Sequence, residues 1–378
     1  MHKAPAAPFR KPNETFAQGA KSLPQKYFVS PEIFARELSD IFAAQWVLVG
    51  HQSQIPNAGD CFVVEVANES LIIARNKDHS VRAFYNVCRH RGTRLCENAV
   101  GAPAEHLSAI QCPYHAWTYA LDGRLIGAPH MDEVEGFEKA DYALHSPNVG
   151  LWEGFIFVNL DVSSAPLGEF FSTLAGKFEH WNLPHLRSAK RVEYDVHANW
   201  KLMFENYSEC YHCLGVHPML SKISPYDSAE NDLTEGPFLG GFMKINQGSS
   251  LTMSGKSCAQ AVGDSKAQDH TRVFYYSIFP NMLLSMHPDY VMVHQLWPQS
   301  PERTLIFCDW FFHPEAFTKD DFRPDDAVEF WDITNKQDWH VCELSQQGIS
   351  SRAYVPGPYS SRESIPAAWD REYLRHVK

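Results

Sequence analysis

The chain has 378 residues, roughly two to three times the length of a typical single domain, so two domains with sizeable cores are expected and a lone small binding module is excluded. Lys and Arg total 33 against 45 for Asp and Glu, and the resulting net charge of −12 removes the usual electrostatic basis for binding nucleic acid or an anionic membrane. With 44% hydrophobic and 21% charged residues, and no run approaching the roughly 18 consecutive apolar residues of a membrane span, the composition is that of a soluble globular chain.

Residues Met1 to Lys11 carry basic residues and alanines but lack the apolar run of about 7 to 15 residues that a secretory signal requires. Nine cysteines, odd in number and scattered, fit reduced thiols and metal ligands better than a disulfide framework, and the expected location is the cytoplasm. A helix is predicted over residues 30–46, with Ser30 as N-cap, Pro31 at the first helical position, and Ile33, Phe34, Leu38, Ile41 and Phe42 on one stripe. From Trp46 to about Leu160 the pattern changes to short β-like runs: 46–49, 61–66, 71–74, 81–85, 116–121 and 155–160, separated by turn signals such as Asn76-Lys77-Asp78 and Asp122-Gly123. The segment Ser163 to Pro166 marks a boundary. Beyond it, strands are predicted over 191–197, 238–245, 272–279, 282–286, 290–297 and 304–312, and helices over Asn199 to Cys213 and Asp325 to Gln347. Hairpin-length connections make that sheet antiparallel, hence an α+β domain. The expected division is therefore an N-terminal helical segment (1–45) packing on the second domain, an all-β domain (46–162) and an α+β domain (163–378).

The most informative motif is Cys88-Arg89-His90, followed after 21 residues by Cys112-Pro113-Tyr114-His115. Each arm supplies one thiolate and one imidazole, whereas a common zinc finger takes both cysteines from one arm and both histidines from the other. Two mixed hairpin tips can place both sulfurs on one iron and both imidazoles on its neighbour, the ligation of a Rieske [2Fe-2S] centre. A structural zinc site or unrelated core residues are the alternative readings. Gly92 and Trp117 would cover such a cluster, Gly92 by letting backbone amides approach the sulfurs. Cys96 reads as a buried thiol.

The strings CRHRGTRLC and CPYHAWTYALDGRL resemble the Rieske non-haem iron oxygenases, specifically their catalytic (alpha) subunit. The spacer between the arms is longer than the family pattern, through Gly101-Ala102-Pro103-Ala104, read as a surface loop insertion. The resemblance implies an all-β Rieske domain followed by a helix-grip-like catalytic domain that holds a mononuclear iron.

A second constellation lies at the end of the predicted helix, where Glu205, Glu209 and His212 fall at i, i+4 and i+7 on one face, with Gly215 placed to end the helix so that His217 turns back towards His212. By spacing alone the histidines could be a core pair, and Cys210-x-x-Cys213 could bind zinc. Ferrous iron that activates oxygen takes two imidazoles and one carboxylate. Asp332 and Asp338 compete for the third place. Asp338 shares a stripe with Trp331, Thr334, Val341 and Cys342, where a carboxylate is costly unless paired, while Asp332 shares a solvated face with Lys336 and Glu343. The family resemblance also favours Asp338.

In that family an acid at the place of Glu209 bridges an iron-ligating histidine and a Rieske histidine of the neighbouring subunit, which implies a ring, most often a homotrimer. Glu in the string ECYHC is associated with the branch acting on quaternary ammonium compounds such as glycine betaine, proline betaine and carnitine. The implied reaction is hydroxylation of an N-methyl group using O2 and Fe(II), with loss of formaldehyde. Electrons would come from NAD(P)H through a separate flavin and iron-sulfur reductase, since no Gly-rich dinucleotide motif or plant-type ferredoxin cysteine spacing is present. The alternatives are oxidation or O-demethylation of an aromatic substrate by the same machinery, or a non-catalytic Rieske electron carrier. Phe274, Tyr275, Tyr276, Trp310, Phe311 and Phe312 read as core, so no substrate residue is assigned.

Overall fold

Ser30 caps the first substantial helix as expected, its Oγ accepting from Ile33 N at 3.2 Å, but the helix Pro31–Glu37 passes into a π turn over Leu38–Phe42 instead of running to residue 46. The computed structural model describes residues 7–98, 101–264 and 267–377, and the first residues of the expected N-terminal segment, 1–6, lie outside them. The chain forms two units, one of residues 42–172, the other of residues 1–41 with 173–378.

In the first unit the strands are β1 (Val47–His51), β2 (Asp60–Val66), β3 (Glu69–Arg75), β4 (Val81–Tyr85), β5 (Glu105–His106), β6 (Ile110–Gln111), β7 (Thr118–Tyr119), β8 (Leu125–Gly127), β9 (Asn148–Trp152) and β10 (Phe155–Asn159). They form three antiparallel sheets, ordered β1-β10-β9, β4-β3-β2-β5 and β6-β7-β8. Cys88, Cys96 and Cys112 are buried in one cluster with Val63, Ile72, Phe84, Trp117 and Tyr119. The Gly101–Ala104 stretch forms no helix or strand, and the chain re-enters regular structure at β5. The unit ends at Ser172 rather than at 162–163. Residues past the Ser163–Pro166 signal pack back on β9: the rings of Phe171 and Trp152 stack 4.2 Å apart, and a Cβ on Gly150 would lie 2.7 Å from Leu167.

The second unit is built on one seven-stranded antiparallel sheet. Its strands are β11 (Arg187–Val196), β12 (Glu230–Leu233), β13 (Phe238–Lys244), β14 (Arg272–Ile278), β15 (Met282–Met286), β16 (Val291–Ser300) and β17 (Arg303–Phe312), in the order β11-β17-β16-β15-β14-β13-β12. The helix Asp325–Ile349 lies against this sheet, with Trp331 Nε1 donating to Tyr290 OH at 2.6 Å and Asn335 Nδ2 to Tyr194 OH at 3.3 Å. The second predicted helix is shorter than expected. It spans Trp200–Tyr207, stops at Ser208, and resumes only as a single turn over Cys213–Val216.

A buried ionic network ties the helices together. Lys201 Nζ and Tyr373 OH both donate to Glu37 Oε1 at 2.5 Å, and Trp200 Nε1 donates to Glu37 Oε2 at 2.9 Å. Glu37 therefore interrupts the apolar stripe of its helix to serve as counter-ion to a lysine with no exposed side chain. Near it, Glu205 Oε1 and Asp370 Oδ1 are buried with no donor aimed at either. Burial raises the pKa of both carboxyls. The charge of Asp370 adds to the effect on Glu205, while Tyr359 and Lys201 moderate the rise at Asp370.

An acid with a raised native pKa contributes stability that is complete below the ordinary carboxylate range and is lost as pH rises through the raised value. Thermal melts of the wild type are therefore expected to weaken from acid towards neutral pH on this pair's account. Asp370→Asn should flatten that slope, and an unchanged slope would mean that the pair does not share a proton.

Candidate metal centres

The first constellation is assembled within residues 42–172. Cys88 follows β4 and Cys112 follows β6. Each loop is closed by its own backbone, with Gly92 N donating to Cys88 O at 3.0 Å and Ala116 N to Cys112 O at 3.1 Å. Both thiols are buried, at 3% and 2% exposure, whereas His90 and His115 are exposed with ring centroids 4.8 Å apart. Trp117 stacks on His90 at 4.7 Å, and Tyr119 OH lies 3.3 Å from Cys88 Sγ while accepting from Arg89 N. Gly92 is needed for its φ of 75°, not for close approach, since a Cβ there would meet nothing within 4 Å.

Burial pushes the Cys88 thiol pKa up, so a thiolate pair in this place calls for a bound cation. Burial, then the charges of His115 and Arg91, lowers His90, which favours the neutral imidazole that a metal takes. Sulfurs inside and imidazoles outside is a donor set that fits a [2Fe-2S] cluster with one iron on each pair.

The second constellation lies at the end of the broken helix. His217 Nε2 stands 2.8 Å from Asp338 Oδ1, His212 Nε2 3.2 Å from the same oxygen, and the two Nε2 atoms 3.2 Å from each other. Metal bonds of about 2.0–2.2 Å at right angles would leave donor atoms roughly 3 Å apart. Each imidazole also has a partner on its far side: Glu209 Oε1 is 2.6 Å from His212 Nδ1, and Gln337 Oε1 is 2.8 Å from His217 Nδ1. With those oxygens accepting Nδ1–H, both Nε2 lone pairs face the Asp338 carboxylate, and a proton or a metal ion must screen them. Burial opposes charge on His212, but the hydrogen bonds to Asp338 and Glu209 outweigh it and push its pKa up to about 10. Burial likewise works against the Asp338 charge, and the two histidines overcome it and hold that carboxyl below its ordinary value.

Several sequence expectations change here. Glu205 does not share a face with Glu209 and His212; the helix ends between them, and Glu205 turns to Lys201 and Asp370. Of the two histidines Glu209 contacts only His212, and the side-chain partner of His217 Nδ1 is Gln337, which sequence reasoning passed over although it adjoins Asp338. Gly215 sits inside the turn Cys213–Val216, and the chain reverses at His217, with φ −119° and ψ 73°. Asp332 pairs with Lys336 at 2.6 Å and accepts from Tyr194 OH, away from the histidines. Cys210 and Cys213 form a disulfide, against the expectation of reduced thiols throughout, because their turn brings the Cα atoms to 4.9 Å. Cys213 Sγ is 4.0 Å from His212 Nε2, farther than Asp338, and a disulfide sulfur is no thiolate donor.

The three donors open on a cavity of about 420 Å³ whose wall includes the rings of Tyr207, Tyr275, Trp331 and Trp339. Tyr275 faces this space, whereas its neighbour Tyr276 is buried and donates to Asp232. The run read as core thus divides by strand alternation, with one tyrosine at the cavity.

Comparison with known proteins follows the same division. The chain matches the ring hydroxylating alpha subunit (catalytic domain) family over residues 183–378 and the Rieske [2Fe-2S] domain family over residues 45–138. It is 32% identical to the glycine betaine monooxygenase oxygenase subunit of Chromohalobacter salexigens, a match covering 91% of this chain and 82% of the relative. It is 29% identical to the carnitine monooxygenase oxygenase subunit of Escherichia coli, covering 89% and 86%. The crystal structure of the quaternary ammonium Rieske monooxygenase CntA aligns with a TM-score of 0.80 at 25% identity, over 98% of this chain and 99% of that one. Naphthalene 1,2-dioxygenase from Rhodococcus, 18% identical with a TM-score of 0.75 over 94% of each chain, shares the fold.

Asp338→Ala is expected to abolish iron binding at the second centre while leaving the visible spectrum of the cluster intact, and Asp332→Ala should retain both. Metal analysis of the two variants decides between the aspartates: full iron in the first and loss in the second would reverse the assignment.

Proposed function

Because the chain belongs to the Rieske non-haem iron oxygenases, as a catalytic alpha subunit, we propose that it is a monooxygenase that removes an N-methyl group from a quaternary ammonium substrate of the glycine betaine kind. The observation that carries this reading is the opening of the three donors His212, His217 and Asp338 onto a cavity whose lining includes Tyr207, Tyr275, Trp331 and Trp339. Ring faces attract a quaternary ammonium, which offers no hydrogen bond and gains from the aromatic quadrupole. Relatives named for glycine betaine and carnitine support the same substrate class.

When bound, Fe(II) held by these three residues would supply dioxygen activation, and a [2Fe-2S] cluster held by Cys88, His90, Cys112 and His115 would supply single electrons. Glu209 and Gln337 fix the histidine tautomers and ring planes, and the aromatic wall excludes water and turns a methyl group towards the donors. Two electrons, two protons, dioxygen and the substrate give an N-hydroxymethyl product and water. That product then breaks its C–N bond, releasing formaldehyde, a proton and the demethylated amine.

A non-catalytic electron carrier would have no use for the second donor set. Electrons from NAD(P)H would reach the cluster through a separate reductase. The Glu209 carboxylate, with 11% of its side chain exposed, would accept a hydrogen bond from a Rieske histidine of a neighbouring copy in a homotrimer.

With a surrogate reductase and NADH, glycine betaine or a related compound is expected to give oxygen uptake and formaldehyde in equal amounts. Turnover of aromatic acids without formaldehyde would replace this reading with ring oxidation. Glu209→Gln should keep both metals yet slow turnover by about 10- to 100-fold; a wild-type rate in single-turnover cluster oxidation would show that electrons reach the iron by another route.

A further inference from the structure

The metal donors are not the only charged groups on the cavity wall. Lys11 and Arg362 line it as well, and neither has an ion-pair or side-chain hydrogen-bond partner among the described residues. In a chain carrying a net charge of −12, two uncommitted cations on one wall are an unusual use of basic residues. Of the acids on the same wall, Glu209 and Asp338 are engaged with the histidines, and Asp227 makes no ion pair with either cation.

Both cations are held there by defined backbone. Arg10 N donates to Asn231 O at 2.9 Å and Asn231 N to Arg10 O at 2.7 Å, so the N-terminal segment is pinned to the edge strand β12 and Lys11 is brought to the cavity. Arg362 lies in the turn before the helix Ser364–His376. Ser360 Oγ accepts from Arg362 N at 3.2 Å, and Glu363 Oε2 accepts from Ser360 N at 2.6 Å. Its guanidinium carbon sits 5.1 Å from the centroid of Tyr226, another cavity residue. Stacking occupies the face of a guanidinium and leaves its in-plane N–H groups free, and those donors match the two oxygens of a carboxylate.

We infer that Arg362, assisted by Lys11, receives the carboxylate of a zwitterionic substrate, so that the enzyme selects betaines over choline, which presents a neutral hydroxyl in that place. This assignment rests on the proposed N-demethylation and adds the second recognition point. The aromatic wall takes the cationic end of the substrate and the Arg362 side takes the anionic end.

The test compares wild type with Arg362→Gln on glycine betaine and on choline, read as KM and kcat where turnover occurs and as a competitive inhibition constant where it does not. Arg362 is exposed, so the variant should fold; an unchanged cluster absorbance and iron content verify this. For glycine betaine the variant is expected to raise KM by about tenfold, the loss of one charge-assisted interaction, with kcat little changed and the choline constant unmoved. Wild-type KM for glycine betaine should rise with ionic strength, and the variant, which keeps only Lys11, should show a weaker dependence. Equal effects on both compounds, or none on glycine betaine, would overturn the assignment to Arg362 while leaving N-demethylation in place. Wild-type enzyme that turns over no quaternary ammonium compound at all would remove the proposed function and this inference with it.

Discussion

Two imidazole nitrogens and a carboxylate oxygen within 2.8 to 3.2 Å of one another form the constraint on which the second unit depends. Lone pairs at that separation repel unless a positive charge lies among them, so the surrounding structure must hold them against that repulsion. It does so from two directions. The helix Asp325–Ile349 supplies Asp338 and Gln337 from a rod anchored to the sheet, and the broken segment after Tyr207 supplies Glu209, His212 and His217. The helix break gives Glu209 its place. Past the last helical turn its carboxylate folds back onto the backbone amides of Tyr211 and His212 and onto the imidazole of His212, where a continuous helix would have carried it away.

The buried network behind that break serves the same end. Lys201 and Glu205 lie one turn apart on the helix leading into the site, the first neutralised by Glu37 and the second facing Asp370. Buried ionic groups add little net stability, but they tolerate few alternative arrangements. Here they fix the helix from which the segment bearing Glu209, His212 and His217 departs. In the first unit the corresponding constraint is apolar: Cys88 and Cys112 are part of a hydrophobic cluster, which holds the thiols inside and leaves the imidazoles at the surface.

The two donor sets were legible in the sequence because their residue types are costly outside such chemistry and their spacing is short. Asp338 was legible because a carboxylate on an apolar stripe needs a partner. The long strands β2, β3, β4, β14, β15, β16 and β17 carry enough apolar residues to be read. Strands β5 and β6 have two residues each, and β12, Glu-Asn-Asp-Leu, has no apolar pattern; they exist because neighbouring strands offer pairing partners, which is tertiary information. The helix break at Ser208 was hidden because the i, i+4, i+7 spacing of Glu205, Glu209 and His212 continues through it. The burial of Glu37 depends on Lys201, 164 positions away, and the cavity role of Tyr275 depends on which sheet face meets the helix. Neither relation is local.

Counting metal and sulfide in the purified protein, with magnetic spectra of oxidised and reduced states, addresses the central claim most directly. About three irons and two acid-labile sulfides per chain are predicted, with a reduced [2Fe-2S] signal of the histidine-ligated type and a separate high-spin ferrous site. Protein that holds zinc at Cys88, His90, Cys112 and His115, or that binds no metal at His212, His217 and Asp338, would contradict the account.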